Sequence, residues 1–376
     1  MPQLRYFTAG ESHGQCLVGI LEGMPAGLKV DLAAINRDLA RRQQGYGRGG
    51  RMKLEADQAE VLSGVRRDET IGSPVTVMVR NRDFKINELP AVTKPRPGHA
   101  DLAGLIKYDR EDARDILERS SARETTVRVA VGGVCKLLLA EVGVDIVGHI
   151  VSLGTVQAKT DGLTFAQIRE RSEASEVRCA DPEAEKKMIE AVDAAKGQGD
   201  TLGGVFEVVA IGLPIGLGSH VQWDRKLDAN LARALMSIQA MKGVEVGLGF
   251  EAARRFGSQV HDEILPAQEG VLTRAGNNAG GIEGGMTNGQ PVVVRVAMKP
   301  LSTLMKPMRS VDIQTGQEVK ATVERSDVCA TPAAAVIGEA VVAFELAKAL
   351  LDKFGGDSVR ELKRNVESYR TACKRW

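Results

Sequence analysis

Aromatic residues make up only 4% of this 376-residue chain. Single-strand nucleic-acid platforms stack bases on aromatics interleaved with cations, so that function class loses its usual signal. Cysteine is sparse: Cys16, Cys135, Cys179, Cys329 and Cys373 are odd in number, far apart and never in a C-x-x-C pair. That argues against a disulfide framework and against zinc, and no metal is expected. Net charge is nearly absent, since 50 Lys and Arg oppose 49 Asp and Glu to leave +1. Nothing global attracts nucleic acid or a membrane, so any anion must be held by local clusters. No apolar run reaches the roughly 20 residues of a membrane span, and no basic-then-apolar segment opens the chain. A cytoplasmic protein with neither nucleic-acid nor membrane partners is expected. Without repeats or linker-like composition, residues 1–376 read as a single domain.

Glycine, in contrast, is abundant at 41 residues and gathers in loops, where backbone can approach ligands closely. The chain is organised around Arg119-Ser120-Ser121-Ala122-Arg123-Glu124-Thr125. Ser121 and Glu124 have capping-box spacing, and Val127, Val131, Val134 and Leu138 continue a helical face. A helix start with two hydroxyls and two flanking arginines suits a phosphate, although an ordinary capped helix gives the same pattern.

Residues 4–9 and 17–21 predict strands, and Gly10-Glu11-Ser12-His13-Gly14 between them predicts a tight polar loop presenting Ser12 and His13. Asp31 caps a helix to about Arg42. Arg41 to Lys53 then carries five cations among four glycines and reads as a mobile cationic loop that could close on a small polyanion. A strand at Val75–Val79 precedes a long loop ending Lys94-Pro95-Arg96-Pro97-Gly98-His99-Ala100-Asp101. Further strands are expected at 144–151, 205–211, 244–248 and 292–296. Helices are expected from Pro182 to Gly197, from Leu227 to Met241, from Thr331 to about Phe354, and from Val359 to Tyr369. His149, His220 and His261 lack a partner pattern and read as structural or exposed. Residues 274–290 form a second glycine-rich loop with neither a strand–GxGxxG–helix context nor G-K-[ST], which excludes Rossmann and P-loop readings.

Three stretches together resemble the signature blocks of the chorismate synthase family: Gly10–Gly14 with Leu17 to Pro25, Arg119–Thr125, and Arg325-Ser326-Asp327 running to Glu339. The loops at 41–53, 96–101, 280–285 and 299–303 follow the same pattern in order. The resemblance implies an α+β fold, a β-α-β sandwich with helices packed between antiparallel sheets, assembled as a homotetramer. It implies a lyase that converts 5-enolpyruvylshikimate 3-phosphate to chorismate and phosphate by anti-1,4-elimination, in the shikimate pathway of aromatic amino-acid biosynthesis. Reduced FMN is required without net redox change. NADPH supply and an external flavin reductase are left open. Carried over by motif, the flavin contacts are Arg119, Ser120, Ser121, Gln239, Ala240, Gly284, Lys299, Pro300, Leu301, Ser302, Thr303 and Arg325. Gln239 stands where the family commonly has asparagine. Arg42 and Arg48 match positions for a phosphate-bearing ligand; Arg96, Arg123 and Ser12 join them as substrate contacts. His13, His99 and Asp327 are the catalytic candidates, with the ring proton relayed to Asp327 in the family's scheme.

The residue chemistry fits independently. A substrate with one phosphate and two carboxylates needs arginines from several loops. A departing phosphate calls for a proton or hydrogen bond, which a histidine can give. Sequence alone leaves open which histidine serves phosphate and which serves flavin. Two other classes share the cations: a binding protein for phosphorylated ligands or RNA, and a conventional flavin oxidoreductase.

Overall fold

A computed structural model describes residues 4–49, 56–268, 271–324 and 326–374. The first antiparallel sheet contains β1 (Arg5–Ala9), β2 (Cys16–Glu22), β3 (Ala59–Ser63) and β4 (Val75–Arg80), in the order β1-β2-β4-β3. The second contains β5 (Asp145–Leu153), β6 (Val156–Gln157), β7 (Gly204–Ile211), β8 (Met241–Val246) and β9 (Val292–Met298), in the order β8-β9-β7-β5-β6, again antiparallel. In β9, Val292, Val294, Val296 and Met298 alternate inward. β5 is buried along both faces, because Ile168 of an outer helix covers Val147 and Val209.

The main helices are α1 (Leu32–Gln43), α2 (Asp101–Tyr108), α3 (Arg114–Ser120), α4 (Thr125–Ala140), α5 (Phe165–Ala174), α6 (Pro182–Gly197), α7 (Leu227–Met236), α8 (Thr331–Phe354) and α9 (Val359–Cys373). Asp31 caps α1 by accepting the Ala34 N–H, and Asp181 caps α6 ahead of Pro182; such caps contribute about 1 kcal/mol each. α8 is Ala-rich, carries Pro332 in its first turn and ends at Gly355, φ 58°. α4 packs on β2 and β4, α8 packs on β5 and β7, and the two helices pack on each other. Their close crossing requires Gly132: a Cβ there would lie 2.4 Å from the Ala340 Cβ. The helical layer therefore meets one sheet on each side, and a continuous apolar core runs from Leu4 to Val366. Among the described residues no helix is long and apolar enough to cross a membrane.

Several expectations change. Ser121 caps a one-turn 3-10 helix, Ala122–Glu124, that leads into α4. Glu124 does not close a capping box; its carboxylate accepts from Thr8, Arg128 and Gln239 instead. α7 stops at Met236, not Met241, because Met241 pairs with Met298 and the preceding Ala240 takes a left-handed φ of 70°. β8 accordingly begins at Met241 and ends at Val246, earlier than the expected 244–248. The cationic segment from Arg41 is not a free loop either. Residues 41–43 complete α1, the Tyr46 N–H donates to the Glu176 carbonyl, and the Gly47 carbonyl accepts from the Val328 N–H. Residues 50–53 of that segment lie outside the described residues.

Candidate active site

Seven parts of the chain converge on one cleft of about 680 Å³: the 12–13 loop, the C-terminal end of α1, the 83–100 loop, the junction from α3 into α4, and the segments at 238–241, 298–303 and 324–334. Ser12, His13, Arg42, Arg48, Arg96, His99, Ser120, Ser121, Arg123, Gln239, Ala240, Lys299, Leu301, Ser302, Thr303 and Asp327 all line it. Arg119 does not. Its guanidinium turns back to the Thr8 and Gly10 carbonyls and fastens the end of β1. Gly284, φ 57°, forms the turn of a small hairpin away from the cleft lining, and Pro300 is not on the lining. Arg325 lies outside the described residues.

The lining carries Arg42, Arg48, Lys85, Arg96, Arg114, Arg123 and Lys299 against the carboxylates of Asp83, Glu324 and Asp327. Arg42 donates from Nε and Nη2 to Thr125 Oγ1 and to the Ala122 carbonyl. Its Nη1 is buried without a hydrogen-bond partner, with Asp57 Oδ2 3.7 Å away. Asp57 is shared, accepting from Arg123 Nη1 at 2.8 Å. Burial pulls the Arg42 guanidinium down to about 9, Asp57 opposes this, and Arg48 and Arg123 add to it. Burial, then Lys242, also lowers Lys299. Arg96 is held by Asp101 and by Thr303 Oγ1. Asp327 accepts the Gly49 N–H at 2.6 Å and pairs with Arg48 at 3.4 Å.

Both histidines rest on buried carboxylates. His13 Nδ1 lies 2.9 Å from Glu118 Oε1, and Nε2 lies 3.7 Å from Asp83 Oδ2. His99 Nδ1 meets Asp101 Oδ1 at 2.5 Å. Burial works to raise Glu118, but the bonds from His13 and the charge of Arg114 outweigh it and lower it. Asp101 is held well below the carboxylate range in the same way, burial being outweighed by His99 and Arg96. His149, read as structural, is fully buried against Glu207.

One wall is apolar: Ile238, Met241, Met298, Leu301, Ala334 and Ile337. Beside it, Ser120 Oγ and Gln239 Oε1 are buried without partners. Ala240 is held in its left-handed turn while its carbonyl accepts the Lys299 N–H. Apolar surface bordered by unsatisfied polar atoms fits a heteroaromatic group such as a flavin. Among the described residues no group of His, Cys, Asp or Glu is arranged to hold a metal ion.

Sequence reasoning missed Asp57, Asp83, Lys85, Asp101, Arg114 and Glu118. Arg114 and Glu118 are spaced i, i+4, which reads in sequence as a surface helix pair; both are buried.

The family model described as chorismate synthase matches residues 4–351. The chorismate synthase of Geobacter sulfurreducens is 59% identical, covering 97% of this chain and 98% of that protein. That of Symbiobacterium thermophilum is 58% identical, over 97% and 98%. A solved structure described as "Crystal Structure of Chorismate Synthase" superposes with a TM-score of 0.84 at 46% identity over 100% of both chains. With its mixed helix–strand fold, its cationic cleft and these relatives, the chain belongs to the chorismate synthase family, lyases that form chorismate in the shikimate pathway.

Proposed function

We propose that the cleft binds 5-enolpyruvylshikimate 3-phosphate beside reduced FMN and eliminates phosphate in an anti-1,4 sense, with no net redox change. The observation that carries this reading is the unbalanced charge of the lining, above all Arg42 with its buried Nη1 lacking a hydrogen-bond partner. Buried cations of this kind call for an anion of matching shape. One phosphate and two carboxylates, spread over a small ring, answer arginines that come from separate loops.

Ser12, Arg42, Arg48, Arg96 and Arg123 would hold the substrate, with Arg114 and Lys85 added by the lining. Ser120, Ser121, Gln239, Ala240, Lys299, Leu301, Ser302 and Thr303 would hold the flavin against the apolar wall. When bound, reduced flavin supplies electron density to a substrate whose C–O bond is breaking. His13 holds a proton at Nε2 for the departing phosphate, and His99 exchanges one at Nε2 on the cofactor side. The Asp327 carboxylate is the group that takes up the proton lost from the substrate ring; the C–H pair forms one new double bond, the ring double bond shifts along by one position, and the C–O pair leaves with phosphate. A homotetramer, and reducing equivalents from NADPH or an external reductase, belong to the same proposal.

Anaerobic turnover of the phosphate ester, with reduced FMN present or absent, tests it. Phosphate release that requires reduced flavin but does not consume it stoichiometrically is expected. Stoichiometric flavin oxidation identifies an oxidoreductase, and ligand binding without turnover identifies a binding protein.

A further inference from the structure

Resting on the elimination reading above, we propose that Glu118 is a positioning residue that fixes the tautomer of His13, with Nδ1–H inward and Nε2 toward the cleft. Glu118 is only 3% exposed, and both its carboxylate oxygens face His13 Nδ1, Oε1 at 2.9 Å and Oε2 at 3.1 Å. Oε2 also accepts the backbone N–H of His13 at 2.8 Å. The Glu118 carbonyl also accepts the Ser12 N–H at 2.9 Å, so one residue grips the loop at three points. Behind it, Arg114 lies 3.5 Å from Oε1 and reaches Glu324 at 3.1 Å. The other charged groups at the ring are Asp83, 3.7 Å from Nε2, and Lys85, paired with Asp83 at 2.8 Å.

A carboxylate only accepts hydrogen bonds, so a neutral ring beside it keeps its proton on Nδ1. Nε2 is left as the atom that gains and gives a proton on the cleft side. In the elimination, the proton on Nε2 passes to an oxygen of the leaving phosphate. Glu118 stays ionised throughout, orienting the ring and stabilising its cationic form, as the carboxylate of a Ser-His-Asp triad does.

Glu118→Gln replaces one of the two acceptor oxygens with an NH₂ donor. The His13 backbone N–H can be met only by the amide oxygen, which turns the amide NH₂ toward Nδ1. The nearer partner of Nδ1, at the Oε1 position, is then a donor, which favours an accepting Nδ1 and shifts the ring proton toward Nε2. Imidazole ¹⁵N NMR reads the tautomer directly, with His13→Ala assigning the signal among the 5 histidines. The expected result is neutral His13 protonated at Nδ1 in the wild-type chain and at Nε2 in Glu118→Gln. kcat should fall by about 10²-fold or more while KM changes less than about threefold. In a His13→Ala background, Glu118→Gln should cost nothing further. A wild-type His13 protonated at Nε2 overturns the proposal without any variant, so a misfolded Glu118→Gln chain cannot shelter it. A Glu118→Gln kcat within about twofold of wild type, or a fully additive loss in the double variant, overturns it equally. The tautomer is read without substrate, so failure of the positioning role and failure of the elimination reading are distinguishable.

Discussion

Arg41 and Arg42 are neighbours in the last turn of α1, yet they enter two different electrostatic worlds. Arg41 joins a balanced network: Arg41, Lys136 and Arg178 meet Asp38, Glu173 and Glu339. Burial opposes the Arg41 charge, but Glu339, Glu173 and Asp38 outweigh it and hold the guanidinium above its ordinary value. Arg42, one residue on, lines the cleft with an Nη1 that has no hydrogen-bond partner and, among the described residues, only Asp57, 3.7 Å away, as counter-charge, and is pulled down to about 9, chiefly by burial. The balanced cluster ties α1, α4 and α8 together; the Arg42 cluster lines the cleft. Arg41, 18% exposed, is matched by three carboxylates, while the more deeply buried Arg42, 4% exposed, has only Asp57 within 4 Å among the described residues.

The largest effect should come from unbalancing the scaffold. Glu339 is fully buried, and its carboxylate accepts from Arg41, Lys136 and the Gly148 N–H. Removing it with Glu339→Ala strands the partly buried Arg41 and Lys136 and the buried Arg178 and should cost about 3 kcal/mol, read as a lower urea midpoint. A midpoint unchanged from wild type would mean that water already screens this network.

Next, Arg42→Lys should leave the urea midpoint of the ligand-free chain unchanged or higher but raise KM by about 10–100-fold. That range corresponds to losing a charged hydrogen bond of about 1.5–3 kcal/mol. A large stability loss with normal KM would move Arg42 into the scaffold class.

A smaller effect is expected from inorganic phosphate alone. An anion that neutralises the cleft should raise the melting temperature, adding about 1.4 kcal/mol of stability at about ten times Kd. Arg42→Met should abolish that gain, whereas Arg37→Met, on the exposed side of α1, should keep it. Equal protection of both variants would place the anion elsewhere.

The smallest effect concerns acid. Glu173 and Glu339 are lowered in the folded chain, burial being outweighed by their cationic partners, and Glu173 falls to about 2. A depressed carboxyl contributes fully above its unfolded pKa of about 4.3 and loses that contribution as pH falls through the folded value. Stability should therefore hold down to about pH 4.5 and decline toward about pH 2. Glu173→Gln should flatten part of that decline; an identical slope would remove Glu173 from the network.

Much of the scaffold was legible locally. Asp31, Asp181-Pro182 and Gly355 marked helix ends within a residue or two, because a cap acts on backbone groups two or three positions away. The alternation in β9 placed a strand for the same reason. The end of α7 was not legible. Helical periodicity continued past Met236, but pairing of Met241 with Met298 captured the chain for the sheet. The polar loops pointed to the chemistry, yet Arg119 and Gly284, adjacent in pattern to residues of the cleft, fall outside its lining.

The sequence by itself determined the element types, the placement of glycine-rich and arginine-bearing loops, and the family pattern they spell. These depend on interactions within a turn or two of chain. The tertiary structure decided which arginine of an adjacent pair lines the cleft and which carboxylate holds His13, 105 residues away along the chain. It also decided whether a buried charge is matched. Those outcomes depend on distances between loops that only the packing of α4 and α8 against their sheets sets, and electrostatic interaction in a low-dielectric interior follows distance in space rather than separation in sequence.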